Sequence, residues 1–302
     1  MNNKPAVYGA PLAALARTPP GAIQLSPLCP GGQALEELES ASLSEAIIAA
    51  PPGASERRYV IAHVLRALAP GGSLTALAPK ARGGTRLRKE LEAFGCAVAE
   101  TSRRHQRICR VARPDALSNL EAAMSAGAPR YAEAVALWTQ PGVFSWDRPD
   151  PGTGQLLAAL PPLSGRGVDL GCGLGVLARA VLSSQAVTSM ALIDIDSRAI
   201  AAARRNVEDP RAVFHWADAR TAPDLSDLDF VVMNPPFHDE GFEDRDLGRN
   251  FIRRAHEVLR PGGVLWLVAN RHLPYEAVLM ELFTTVTPKG EGAGYKVFEA
   301  RR

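Results

Sequence analysis

The sequence predicts an α/β fold of two domains, in which a large domain with a mainly parallel β-sheet follows a smaller domain of related design. In the second half, short β-like runs alternate with helical stretches, a pattern typical of a parallel sheet with helices on both faces. Segments rich in Gly and Pro at residues 126–129, 140–142 and 147–152 interrupt the chain. We therefore predict domains at residues 1–125 and 126–302, each of an ordinary size.

The elements of the second domain follow in regular order. Apolar runs predict five strands, at residues 167–170, 190–193, 212–216, 229–233 and 263–269. Helical patterns between and after them predict four helices, at residues 176–183, 198–207, 249–259 and 275–282. The last segment of the sequence predicts an antiparallel hairpin, with strands at residues 283–287 and 295–300 on either side of a Gly-rich turn. An antiparallel ending is not the pattern of a nucleotide-dependent dehydrogenase.

A weak internal repeat relates the two halves. Residues 68–78 match residues 259–269 at six of eleven positions. Upstream of each copy an apolar run ends in two prolines, at residues 46–53 and at residues 230–237. Because both matches occur in the same order, they indicate a duplication.

The first copy differs from the second at the positions that carry chemistry. Ala50 stands where the second copy has Asn234, and Gly53 stands where it has Phe237. No Gly-rich loop precedes the first copy. We therefore interpret the first domain as a degenerate relative of the second, without a cofactor site.

Composition narrows the classes of protein. The chain is 46% hydrophobic and 22% charged, which is typical of a globular protein and excludes a disordered or fibrous one. No run reaches the roughly 18 apolar residues of a membrane span, and the N-terminus lacks the pattern of a signal peptide. The four cysteines have no metal-ligand spacing. We expect a cytoplasmic protein without a metal site, and we assume a monomer.

Basic residues are concentrated in one stretch of the first half. Residues 80–113 contain ten Lys or Arg and three Glu, a net charge of +7 in a chain whose total is +2. Such a stretch is typical of a surface that binds a polyanion such as RNA, or of a solvated face. Under the first interpretation, Arg103, Arg104 and Arg107 contact phosphates from a predicted hairpin.

A strand that runs into a Gly-rich loop marks a candidate cofactor site. Gly171, Gly173 and Gly175 follow the first predicted strand and open a helix. Without Cβ atoms, such a loop lets a cofactor lie against the backbone. The alternative interpretation is a tight turn.

Three carboxylates could complete this site. Asp194 ends the second strand, 23 residues after Gly171, where it could accept both hydroxyls of a ribose. This position fits both NAD and S-adenosylmethionine. Asp169, just before the glycines, suits the cationic end of S-adenosylmethionine and would repel a pyrophosphate. Asp218, after the third strand, could accept a hydrogen bond from adenine; a surface turn is its alternative.

The most specific motif follows the fourth predicted strand. In Asn234-Pro235-Pro236-Phe237, the prolines restrict the backbone so that the Asn234 side-chain carbonyl and the Pro235 carbonyl can point at one position. Two acceptors that hold the two hydrogens of a planar amine favour a pyramidal nitrogen, which frees its lone pair to attack a methyl sulfonium. Phe237 would stack on the base. We predict these four residues as catalytic.

His238 and Asp239 come directly after this motif and resemble an acid–base pair. No titrating base is needed before methyl transfer, because the proton can leave afterwards. We therefore interpret His238 as a residue that positions the loop or contacts the substrate.

Taken together, these motifs resemble the class I S-adenosylmethionine-dependent methyltransferases of the Asn-Pro-Pro-Phe/Tyr branch. Further segments resemble the RsmC-type 16S ribosomal RNA guanine-N2 methyltransferases. They are residues 141–145, 154–157, 234–239, 268–270, 273–275 and 295–300. The resemblance covers about residues 130–302.

The resemblance implies a Rossmann-like, seven-stranded methyltransferase sheet with an antiparallel C-terminal hairpin. It also implies S-adenosyl-L-methionine as cofactor and small-subunit rRNA, naked or within the assembled subunit, as substrate. That family pairs its catalytic domain with an N-terminal domain that has lost its cofactor site. The repeat suggests the same arrangement here.

Three alternatives to guanine-N2 methylation remain at this point. The Asn-Pro-Pro-Phe motif is typical of methylation of a planar nitrogen, so adenine N6 or a protein glutamine amide could be the target. A non-catalytic RNA-binding or chaperone module could use the basic stretch. An NAD-dependent oxidoreductase fits least, because the usual G-x-G-x-x-G is absent.

Overall fold

The computed structural model describes residues 3–221, 225–236, 238–239, 242–243 and 245–302, with only the backbone at 238–239, 242–243 and 245. The chain divides into two compact units. The first comprises Met1–Pro129 and Gln140–Gly142, and the second Arg130–Thr139 and Val143–Arg302.

The first unit is a six-stranded sheet with helices. Its strands are β1 (Lys4–Tyr8), β2 (Ile23–Gln24), β3 (Leu43–Ala49), β4 (Leu68–Pro79), β5 (Ala99–Arg103) and β6 (Gln106–Ala112). Its helices are α1 (Ala54–Ala67), α2 (Thr85–Ala93) and α3 (Leu120–Gly127). The strand order is β2-β1-β3-β4-β6-β5, and β6 runs antiparallel to both β4 and β5.

Helix α3 extends the first unit beyond the predicted boundary at residue 125. The helix packs on α1, and a Cβ at Gly127 would lie 2.3 Å from the Cβ of Tyr59. Glycine therefore permits the close approach of the two helices at this point. The Gly-Pro cluster at residues 126–129, which was interpreted from the sequence as a domain-boundary signal, thus contains the end of a packed helix.

The second unit contains a seven-stranded sheet. Its strands are β9 (Gly165–Leu170), β10 (Val187–Asp194), β11 (Ala212–Trp216), β12 (Leu228–Met233), β15 (Leu259–Asn270), β16 (Thr285–Gly292) and β17 (Tyr295–Arg301). Two short ribbons are formed by β7 (Arg130–Ala132) with β8 (Leu137–Thr139), and by β13 (His238–Asp239) with β14 (Phe242–Glu243). Its helices are α4 (Pro151–Ala159), α5 (Val176–Val181), α6 (Ser197–Asn206), α7 (Arg245–Val258) and α8 (Glu276–Leu282).

The strand order of this sheet is β11-β10-β9-β12-β15-β17-β16, and β17 runs antiparallel to both β15 and β16. The predicted seven-stranded sheet with an antiparallel C-terminal hairpin is therefore confirmed. Buried apolar side chains form a core on each face of the sheet, one against α7 and α8 and one against α4, α5 and α6. Because β9 to β12 are parallel, their carboxyl ends meet at one edge, where ligands bind in open α/β sheets.

Helix α4 is absent from the elements predicted from the sequence. Its start lies within the Pro-rich segment that was interpreted as part of a domain boundary. Asp150 caps the helix by accepting a hydrogen bond from the Thr153 N–H at 2.6 Å, and Pro151 occupies the first helical position. This is the favoured chemistry of a helix start, so the same residues that suggested a break begin a helix.

Candidate active site

The Gly-rich loop joins β9 to α5 in a backbone conformation that requires glycine. Gly171, Gly173 and Gly175 all have positive φ, at 81°, 52° and 81°. A Cβ on Gly173 would meet no atom of the described residues within 4 Å, whereas a Cβ on Gly175 would lie 2.8 Å from Cγ2 of Val207. Gly173 thus borders open space, and Gly175 lets the loop pack close to the end of α6.

Asp194 at the end of β10 holds the loop in place. One carboxylate oxygen accepts from the Gly173 N–H at 2.8 Å, and the other from the Asp196 N–H at 2.9 Å. Burial raises the pKa of Asp194 to about 6, although these two N–H groups act in the opposite direction. The backbone N–H of Ile195 acts in the same direction as these two groups. A carboxylate offers about four acceptor sites, so it can still accept a hydroxyl group of a ligand.

Asp169, the penultimate residue of β9, is fully buried. Within the described residues, neither of its oxygens makes a hydrogen bond of normal geometry, although the backbone N–H of Ala178 is close enough to act against the rise in its pKa. Burial raises the pKa of Asp169 to about 8, and the negative charge of Asp194 adds to the rise. A buried carboxyl without a partner is costly, and a cationic ligand would relieve that cost. Together with the open loop at Gly173, it fits the sulfonium and ammonium groups of S-adenosylmethionine.

Asp218 lies two residues after β11, at the same edge of the sheet. Arg220 engages both of its carboxylate oxygens, with contacts from 2.6 to 3.0 Å. The hydrogen bonds from this guanidinium lower the pKa of Asp218. The structure therefore places Asp218 in an ion pair, and its contact with adenine stays a prediction.

Asn234 follows β12 directly. Since Val232 pairs with Asp169 across β12 and β9, Asn234 leaves the sheet beside the candidate cofactor site. The side-chain Nδ2 of Asn234 donates to Oδ2 of Asp150 at 2.8 Å and to Oγ1 of Thr153 at 3.0 Å. Pro235 is buried and Pro236 is exposed.

The sequence reasoning missed Asp150 and Thr153. Both stand 80 or more residues before Asn234, so no local pattern connects them to it. The Asp-Pro pair at residues 150–151 was the available signal, since it marks a helix start. It would have predicted α4 but not the contact with Asn234.

Two further predicted residues lie partly or wholly outside the described part. Phe237 lies outside the described residues. The backbone of His238, in β13, pairs with that of Glu243 in β14. The side chain of His238 lies outside the described part of the chain. Their predicted stacking and substrate contacts stay predictions.

The predicted phosphate-binding arginines belong to the first unit, on the hairpin of β5 and β6. Arg103 and Arg104 are exposed, and Arg104 sits in the two-residue turn with a φ of 49°. Arg107 lies 3.1 Å from the carboxylate of Glu100 on the neighbouring strand. The hairpin thus presents two exposed arginines and one that is ion-paired.

The described ranges contain neither a cluster of metal-binding side chains nor a helix that could span a membrane. Among the residues that the structure describes, no group of three or more His, Cys, Asp or Glu side chains could hold a metal ion. Throughout the same residues, each helix is too short or too polar to span a membrane.

Comparison with known proteins identifies the family. The family model described as the methyltransferase small domain matches residues 134–299. The chain is 30% identical over 261 residues to ribosomal RNA small subunit methyltransferase C of Shewanella loihica, covering 83% of this chain and 75% of that protein. It is 33% identical over 270 residues to the protein of the same name from Pseudomonas aeruginosa, covering 86% and 79%.

One solved structure supports the fold over nearly the whole chain. The chain superposes on the 16S rRNA N2 G1207 methyltransferase (RsmC) of T. thermophilus, solved with AdoMet and guanosine. The TM-score is 0.76 at 22% identity, with 99% of this chain and 88% of that chain covered. From the family match, the two long relatives and the site geometry, the chain belongs to the class I S-adenosylmethionine-dependent methyltransferases of the RsmC type.

Proposed function

We propose that this protein transfers a methyl group from S-adenosylmethionine to the exocyclic N2 amino group of a guanine in 16S rRNA. The observation that carries this proposal is Asn234, whose amide nitrogen is held by Asp150 and Thr153 beside the candidate cofactor site. The two long relatives are named as methyltransferases of small-subunit ribosomal RNA, which supports the RNA substrate.

The residues of the loop region bind and orient the cofactor. When bound, S-adenosylmethionine supplies an electrophilic methyl group. The buried carboxylate of Asp169 would hold the cationic end, and Asp194 would hold the ribose while it anchors the loop through Gly173. The adenine contact of Asp218 requires a change in its ion pair with Arg220.

The Asn-Pro-Pro-Phe segment acts on the target amine. The Oδ1 of Asn234 and the carbonyl oxygen of Pro235 each accept one N–H of the amine, so that its nitrogen becomes pyramidal and its lone pair faces the methyl group. Holding both reactants in line supplies much of the rate. The proton leaves the nitrogen after transfer, so no side chain needs to act as a base before it.

The first unit contributes affinity for RNA under this proposal. Arg103 and Arg104 extend from the turn of the β5–β6 hairpin and contact phosphates, which adds sequence-independent binding. The unit itself binds no S-adenosylmethionine, in keeping with its missing Gly-rich loop. The reaction takes place in the cytoplasm, where the small ribosomal subunit is assembled.

The experiment that tests the proposal compares rRNA from cells with and without this protein. Mass-spectrometric mapping of modified nucleosides should show one N2-methylguanosine that is lost from 16S rRNA without the protein. Purified protein with naked 16S rRNA or with assembled subunits then identifies the form that is methylated. Loss of N6-methyladenosine, or unchanged rRNA together with an undermethylated protein glutamine, would replace the guanine assignment.

A further inference from the structure

The carbonyl of Asn234 can act only if its amide group is turned the right way. An asparagine amide presents an acceptor on one side and two donors on the other. Turned by 180°, it would direct N–H groups at the N–H groups of the target amine. The structure shows what prevents this.

Asp150 and Thr153 determine the orientation of the amide. The two contacts of Nδ2, 2.8 Å to Oδ2 of Asp150 and 3.0 Å to Oγ1 of Thr153, account for both of its N–H bonds. An ionised carboxylate only accepts hydrogen bonds, so the group that faces Asp150 must be the amide nitrogen. Oδ1 of Asn234 is therefore directed away from the start of α4.

These two residues are themselves held firmly. Oδ2 of Asp150 also accepts from the Thr153 N–H, and the Gly154 N–H donates to the Asp150 carbonyl at 3.1 Å, which fixes the first turn of α4. A Cβ on Gly152 would lie 2.7 Å from the ring of Tyr295 on β17, so the start of the helix packs closely on the sheet. The amide of Asn234 is thus anchored to a rigid helix start.

We propose that Asp150 and Thr153 are positioning residues for methyl transfer. They hold Asn234 with its carbonyl towards the target amine, and they act through Asn234 without contact with substrate. This inference rests on the proposed function. One atom, Oδ2 of Asp150, both caps α4 and orients the amide of Asn234.

The test uses full-length protein in single-turnover methylation of rRNA. Thr153→Val removes the hydroxyl acceptor but keeps the N–H that Asp150 caps, and Thr153→Ser restores the hydroxyl. Asp150→Ser keeps a capping hydroxyl but is too short to reach Asn234. We expect Thr153→Val and Asp150→Ser each to lower the transfer rate about tenfold, with cofactor affinity within twofold and Thr153→Ser near the native rate.

A double-mutant cycle with Asn234→Ala separates positioning from a structural role. If both residues act through Asn234, Thr153→Val should not lower the residual rate of Asn234→Ala any further. A tenfold further loss, or a native rate for Thr153→Val and Asp150→Ser, would overturn the inference. If Asn234→Ala itself keeps its activity, the failure belongs to the proposed function instead.

Discussion

The sheets of the two units share one strand order, but different residues occupy the positions that form the candidate site in the second unit. The order β2-β1-β3-β4-β6-β5 of the first unit matches the order β10-β9-β12-β15-β17-β16 of the second, and only β11 has no counterpart. In both sheets the last strand along the chain, β6 or β17, lies between the edge strand and the parallel strands. The shared topology supports the interpretation of the first unit as a degenerate copy.

The register of the strands shows which residue replaces Asp169. Asp169 pairs with Val232, and Tyr8 pairs with Ile48; Val232 and Ile48 each stand three residues before the first proline of their motifs. The buried Tyr8 therefore occupies the position of the buried carboxylate. A phenol ring there fills the space with carbon and offers no charge to a cationic cofactor.

The side chain of Gln24, on β2, holds the loop that follows β1. Oε1 of Gln24 accepts from the Gly9 N–H at 3.1 Å, and Nε2 of Gln24 donates to the Gly9 carbonyl at the same distance. In the second unit, the corresponding loop is held by Asp194 but stays open beside Gly173.

The acceptor carbonyls of the first unit are likewise engaged. Nη1 of Arg57 donates to the carbonyls of Pro51 and Pro52 at 2.9 and 2.8 Å, where Pro51 corresponds to Pro235. Glu90 binds the same guanidinium through two contacts of 2.6 and 2.7 Å. The first unit thus engages the carbonyls of its two prolines with an internal arginine, whereas in the second unit the buried carboxyl of Asp169 makes no hydrogen bond of normal geometry within the described residues. A buried carboxyl with a raised pKa is typical of a functional site, and Asp169 is such a group.

The largest expected effect concerns the internal arginine. Arg57 is 1% exposed and Glu90 is 7% exposed. Arg57→Ala therefore leaves two carbonyls without their donor, and it leaves the buried carboxylate with the exposed Arg58 at 3.6 Å. We expect a loss of about 3–5 kcal/mol in the free energy of unfolding of the first unit, measured by urea denaturation. Cofactor affinity should not change.

Two companion variants sharpen this test. Replacing the pair by Arg57→Met with Glu90→Leu should recover much of the loss, because it removes both charges at similar volume. Arg88→Ala breaks an exposed pair with Glu92 and should leave the unfolding midpoint nearly unchanged. A small effect of Arg57→Ala on the free energy of unfolding would mean that the carbonyls of Pro51 and Pro52 do not need the arginine as a donor.

The next effect concerns the residue that Ala50 replaces. Asn234→Ala should lower the rate of methyl transfer on the order of 100-fold or more, because it removes one preorganised acceptor at the reacting amine. S-adenosylmethionine affinity, measured by calorimetry, should stay nearly native with one cofactor bound per chain. A variant that keeps more than about a tenth of the native rate would show that the role assigned to Asn234 is wrong.

A smaller, pH-dependent effect on stability is expected for Asp169, whose position in the first unit is occupied by Tyr8. The pKa of Asp169 is raised to about 8 by burial and by Asp194, against about 4 for an unfolded aspartate. Between these values the folded protein holds a proton that the unfolded chain has released, so this residue destabilises the free protein increasingly as pH rises from 4 to 8. Asp169→Asn should therefore raise the melting temperature by several degrees at pH 8 and little at pH 4.

The same substitution should weaken cofactor binding. A cation beside Asp169 favours the carboxylate, so binding to the native protein releases a proton and tightens as pH rises from 7 to 8, by less than about tenfold. Asp169→Asn should bind more weakly and lose this dependence. Calorimetry in buffers of different ionisation enthalpy measures the released proton; equal pH profiles for both proteins would place the cationic groups elsewhere.

The sequence predicted those parts of the fold and of the candidate site whose residues are close together in the chain. The strands of the second unit and the Gly-rich loop follow from periodicity and from residues that are adjacent in the chain, and the sheet with its antiparallel strand β17 is confirmed. The pair of Arg57 and Glu90, 33 residues apart, depends on tertiary packing and has no sequence pattern. Helix α4 was missed because Asp-Pro was interpreted as a break rather than as a cap.

The smallest expected effect concerns RNA binding by the surface of the first unit, whose internal site differs from that of the second. In the β5–β6 hairpin, Arg104 and His105 have φ of 49° and 60°, which suits a two-residue turn that holds the neighbouring side chains outward. Arg107 differs from Arg103 and Arg104 because Glu100 already neutralises much of its charge. The three predicted phosphate contacts should therefore be unequal.

We expect Arg103→Gln with Arg104→Gln to flatten the salt dependence of RNA binding by about 0.7–0.9 log unit for each phosphate that no longer meets an arginine. Arg107→Gln should change this slope less, because its interaction with phosphate competes with Glu100. RNA affinity measured at three salt concentrations, together with the melting temperature, distinguishes the possibilities. If these arginines only solubilise the hairpin, both variants keep the native slope. If Arg107 only ties β6 to β5, Arg107→Gln lowers the melting temperature while RNA affinity stays unchanged.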